Sequence, residues 1–215
     1  MKRSIRFVLL MLSAMALRGQ IDEPAGALTI YTRFTHPPSA LSIGYMKTEL
    51  DAIMLPFNMR FDWRSLEHAS GHEVAAEIVV VSFKGVCRAD TMLPWGSSAG
   101  TLGWTHIADG EILPFADVDC DKIREVMTSP LAISPPMGRE GLLGRAMARV
   151  LAHELYHFLA HTTKHASTGI AKACYTGAEL ASNRFRFDEA QLRVVRESRP
   201  HRLPGETHAA AWVGE

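Results

Sequence analysis

The chain has 215 residues, 23 basic and 23 acidic side chains, and a formal net charge of 0. That length suits one domain, and 47% hydrophobic content beside 21% charged residues excludes a disordered, collagen-like or low-complexity chain. The balanced charge also argues against a dedicated nucleic-acid binder, which carries a basic excess.

Residues 1–20 have the three-part pattern of a secretory signal peptide. Lys2, Arg3 and Arg6 precede an apolar run over residues 7–17, and Ala14 and Ala16 supply the small residues of a cleavage site. Eleven residues rise about 16 Å as a helix, too little for a hydrocarbon core of about 30 Å. A cleaved leader is therefore expected, with a secreted or periplasmic product and no stable membrane insertion once it is gone. Removal takes Lys2, Arg3, Arg6 and Arg18 from a net charge of 0 and leaves −4.

Residues 27–32 (ALTIYT) predict a strand. Pro37-Pro38 and Pro56 bracket a helical pattern over residues 39–55, carried by Leu41, Ile43, Tyr45, Met46, Leu50, Ile53 and Met54. Residues 59–63 alternate as a half-buried strand, and residues 77–83 (EIVVVSF) read as a central buried one. A Gly, Ser and Pro-rich loop over 93–100 leads to strand candidates at 102–107 and 111–118, split by the hairpin signal Asp109-Gly110. Pro135-Pro136 introduces the longest helical pattern, from about 140 to 162. A Gly-punctuated loop, one helix over about 178–196 and a flexible tail over 199–215 complete the chain. The expected class is α+β, with a single domain over 21–198.

Three cysteines, Cys87, Cys120 and Cys174, acquire meaning from export, because an oxidising compartment permits pairing. Cys87 and Cys120 each follow an apolar run, which places them at adjacent strand ends. A Cys87–Cys120 disulfide is expected, with three free thiols as the alternative.

The chemistry lies in His153-Glu154-Leu155-Tyr156-His157, inside the long helix. Residues i and i+4 share a helix face about 6 Å apart along the axis, so His153 and His157 can converge on one Zn²⁺. Glu154, beside the first ligand, can take the proton of a zinc-activated water as it attacks a carbonyl. Leu143, Met147, Val150, Leu151, Leu155, Phe158 and Leu159 make this a core helix, and burying His with Glu on it is costly unless they are paired or metal-bound.

A catalytic zinc takes a third protein ligand, for which His161, His165, Glu179 and Asp188 are candidates. His161 lies about 12 Å along the axis from His153 on a straight helix, too far to share a tetrahedral ion. The β-branched Thr162-Thr163 weaken the helix and would let the chain fold back, bringing His165 to the metal. Glu179 instead matches a capping box with Thr176. His165 is favoured, with Glu179 next.

The pattern His153, Glu154, His157 resembles the HExxH helix of the zincin superfamily of zinc metallopeptidases, in a divergent metzincin-like branch. The resemblance implies a twisted mixed sheet packed on helices, a central active-site helix, a small C-terminal helical part and an edge strand that binds extended peptide. Residues 111–118 occupy the place of that strand, with Pro114 confining it to an edge. Departures from the metzincin pattern are Ala160 for its glycine, Thr163 for its third histidine, and no methionine after Met147 for its methionine turn. Tyr175 lies where some zincins place an oxyanion-stabilising phenol; a packed loop tyrosine is the alternative. The expected function is an exported zinc-dependent endopeptidase acting on peptide or protein substrates. The alternatives are a zinc hydrolase of another amide, such as a cell-wall linkage, or a non-catalytic exported binding protein.

Overall fold

The computed structural model describes residues 27–90 and 100–199. The leader expected over 1–20, all of the expected tail but Arg199, and the loop over 93–100 apart from Gly100 lie outside them. The elements run β1 (Ala27–His36), α1 (Ala40–Met54), β2 (Arg60–Ser65), β3 (Glu77–Val86), β4 (Gly103–Ala108), β5 (Glu111–Asp119), α2 (Cys120–Val126), α3 (Thr128–Ile133), α4 (Pro136–Ala160), α5 (Gly177–Ala181) and α6 (Glu189–Ser198).

The class is α+β, with one five-stranded mixed sheet in the order β2-β1-β3-β5-β4. Four strands are parallel and β4 alone is antiparallel, joined to β5 by the Asp109-Gly110 turn, where both residues have positive φ. Alternate residues Leu28 and Ile30 of β1, Val79, Val81 and Phe83 of β3, and Val118 of β5 are buried in the same core as Leu143, Met147, Leu151 and Leu155 of α4. Helix α1 begins at an N-cap, Ser39, whose hydroxyl accepts from Ser42 N–H. It packs tightly on α4 at Gly144, where a Cβ would lie 2.4 Å from the Ser42 carbonyl oxygen.

The disulfide follows from the sheet. Lys84 of β3 pairs with Asp119 of β5, so the residues just beyond those strands emerge side by side, and Cys87 and Cys120 are bonded with Cα atoms 4.9 Å apart. Cys174 is free and exposed.

Two expectations about the elements need correction, and two short helices went unexpected. The strand over 111–118 is not an edge: β5 lies between β3 and β4, and β4 forms the boundary. Pro114 is tolerated there because the β4–β5 register shifts between Thr105 and Ile107, while pairing with β3 begins only at Phe115. The single helix expected over 178–196 is two, because Thr176 and Asp188 each open a helix with a full capping box, with Glu179 and Gln191 respectively. Helices α2 and α3, seven and six residues long, are too short for a periodic signal. The first starts from the Asp119 side chain, which accepts from Lys122 N–H.

Candidate metal centre

Helix α4 carries His153, Glu154 and His157 on consecutive turns at a place where all three are buried, with 7%, 4% and 6% of their surface exposed. The helix stops at Ala160: the C-cap His161 adopts a left-handed conformation (φ 45°), and Thr162 N–H turns back to the His157 carbonyl. This reversal returns the chain, so His165 stacks on His153 with ring centroids 5.1 Å apart and meets His157 edge-on at 4.9 Å. One ring nitrogen from each of His153, His157 and His165 falls within 4.8 Å of the other two.

The hydrogen bonds behind the rings fix which nitrogens are free. His153 Nδ1 lies 2.7 Å from the Ile170 carbonyl and His157 Nδ1 2.7 Å from the Thr162 carbonyl. A carbonyl only accepts, so each Nδ1 carries the hydrogen and each neutral ring has a bare lone pair at Nε2. Those two Nε2 atoms are 3.0 Å apart. Burial lowers the pKa of His153 to about 4 and also lowers that of His157, so both rings are neutral near pH 7. Two facing lone pairs repel, and a cation between them converts repulsion into ligation. Two ligand bonds of 2.0–2.1 Å at a tetrahedral angle would put the nitrogens about 3.3 Å apart, close to the spacing present. The three histidines can therefore hold a metal ion.

Glu154 points from the same helix toward β4. Thr105 Oγ1 donates to its Oε2 at 2.8 Å, and a Cβ on Gly103 would lie 2.9 Å from its Oε1. Burial raises the Glu154 carboxyl to about 7, opposed by the Thr105 hydrogen bond, a range in which a carboxyl group exchanges protons readily at neutral pH.

The other candidates sit elsewhere. His161 is exposed and serves the helix terminus. Glu179 closes the Thr176 capping box and pairs with Lys172. Asp188 caps α6 and accepts from Thr168 Oγ1 at 2.9 Å. Tyr156 is buried and packs on Phe187 and His157. Tyr175 lies beside the centre, with its hydroxyl 2.8 Å from His153 Nδ1 and donating to the Ile170 carbonyl.

Sequence reasoning did not find Thr105, Gly103 or the carbonyls of Thr162 and Ile170. The β4 alternation puts Gly103 and Thr105 on one face, but nothing in it says that this face meets Glu154. The carbonyls leave no mark in side-chain identity. No protein-family model and no curated protein matches this chain.

Proposed function

We propose that the chain is an exported zinc-dependent endopeptidase with a zincin-like fold. The observation that carries this reading is the cluster of three imidazole nitrogens within 4.8 Å, with a buried carboxylate on the same helix. His153, His157 and His165 would hold the ion, and all-nitrogen ligation of this kind suits zinc among other first-row metals. Bound zinc would supply Lewis acidity, lowering the pKa of water and polarising a substrate carbonyl.

The chain's own residues supply the rest. Glu154 accepts a proton from water and passes it to the leaving amine. Thr105 holds Oε2, so Oε1, which lies beside Gly103, is the oxygen that would take the proton. Strand β4 bounds the sheet directly above Glu154, as the Thr105 contact requires. An extended peptide added along the outer side of β4 would pass the carboxylate, the binding mode that a zincin resemblance implies.

Export rests on the leader pattern of residues 1–20 and is consistent with the Cys87–Cys120 disulfide, a bond that persists in oxidising compartments. No helix among the described residues is long and apolar enough to cross a membrane.

Glu154→Gln separates binding from chemistry. The variant should keep its zinc, measured by elemental analysis, while hydrolysis of a mixed pool of quenched-fluorescent peptides falls by about 10²-fold or more. Full peptide hydrolysis by the variant would contradict the role given to Glu154.

A further inference from the structure

We infer that Tyr175 is a positioning residue for the metal-binding imidazole of His153, a role that rests on the metal reading above. The hydroxyl stands 2.8 Å from His153 Nδ1 and donates to the Ile170 carbonyl, the same carbonyl that lies 2.7 Å from that Nδ1. The three groups form a closed set. Nδ1–H is shared between the carbonyl and the phenol oxygen, and the phenol O–H is directed to the carbonyl.

Nδ1 and Nε2 lie on opposite sides of an imidazole ring. The phenol is thus behind His153, on the side away from the Nε2 atom that faces His157 Nε2. Serving a substrate oxyanion, the alternative duty for this residue, would take the hydroxyl from the two hydrogen-bond partners it has here. Its ring is held edge-on to His153 with centroids 5.7 Å apart and packs on Phe185 at 5.1 Å. His157 offers an internal comparison: among the described residues its Nδ1 has the Thr162 carbonyl at 2.7 Å and no side-chain hydroxyl as a hydrogen-bond partner.

Partners of this sort fix the tautomer and rotation of a ligand ring and raise its basicity, and their loss typically weakens metal binding by about 10–100-fold. The hydroxyl is one of two partners of His153 Nδ1, so the lower end of that range applies. Departure of the hydroxyl also frees the Ile170 carbonyl that the other partner provides.

The test is Tyr175→Phe, which keeps the ring on Phe185 and deletes only the hydroxyl. Zinc affinity is read by competition with a chromogenic chelator, and the His153 and His157 Nδ1–H resonances of the zinc-loaded chains are compared by ¹⁵N-resolved NMR. The expected result is affinity weakened about 10-fold, with the His153 resonance displaced and the His157 resonance unmoved. Affinity within about twofold of the parent overturns the inference while leaving the metal reading in place. Weaker binding with an unmoved His153 signal also overturns it, because general loosening would then be the cause. A parent chain that takes up no zinc removes the metal reading and this inference together. One comparison needs no variant: in the zinc-loaded parent, His153 Nδ1–H should exchange with solvent more slowly than His157 Nδ1–H, and equal rates count against the phenol.

Discussion

His153 and His157 face each other because a carbonyl stands behind each ring, and both carbonyls come from the chain beyond the helix. Thr162 supplies one immediately after the turn at His161, and Ile170 supplies the other from the returning loop. The facing pair His153 and His157 was legible in the sequence, because i, i+4 spacing is itself helical geometry. His165 was legible through the weakening of the helix at Thr162-Thr163, although the stop comes slightly earlier, at a left-handed His161. Thr105 was not legible, since its meeting with Glu154 spans 49 positions and depends on sheet order. Glu179 was read correctly as a cap. The Lys172 ammonium and the Thr176 backbone N–H hold its carboxyl at about 2. A depressed folded-state pKa stabilises above the unfolded value of 4.5 and loses that stabilisation as pH falls toward about 2. Thermal unfolding of Glu179→Gln and the parent across pH should show the variant less stable above about pH 5, with the gap closing by about pH 2. A gap independent of pH would show that the cap acts without the charge.

At the scale of elements, the long helices and buried strands were legible because their apolar periods are strong. The short ones were not, since six or seven residues complete barely two turns. What the pattern misses most is close approach. Gly144 sits where α1 and α4 touch, with the Ser42 carbonyl oxygen, the Tyr45 Cβ and the Met46 nitrogen all within 3.1 Å of a would-be Cβ. Gly44, on α1, has nothing within 4 Å. The same substitution should therefore have opposite signs. Gly144→Ala is expected to destabilise by about 1–3 kcal/mol, because backbone atoms must part. Gly44→Ala should stabilise by about 0.5–1 kcal/mol through helix propensity alone. Urea unfolding of the two variants reads both signs, and a stabilised Gly144→Ala would contradict the packing described. Helix α6 also bears on the centre from a distance: Gln191 Nε2 donates to the Thr168 carbonyl at 2.6 Å and Asp188 accepts from Thr168 Oγ1, which anchors the loop that carries His165 and Ile170.

For the molecule as a whole, the decisive arrangement is the placement of β4. The sequence marks a hairpin at Asp109-Gly110 but not which of its strands enters the sheet. Parallel pairing of β5 with β3 puts β5 inside and turns β4 outward over α4. The Cys87–Cys120 disulfide closes the loop that contains this hairpin, with a sequence separation of 33. Loop closure of that length contributes roughly 3–4 kcal/mol on a chain-entropy basis. The hairpin, the long helix and the returning loop thus meet at one point, where three histidines and a glutamate lie together. Elemental analysis of the purified, folded chain tests this most directly, beside His165→Ala and His161→Ala. A metal centre built as described predicts about one tightly held zinc per chain, retained in His161→Ala and lost or weakly held in His165→Ala. A folded parent that holds no zinc after zinc is offered would contradict it.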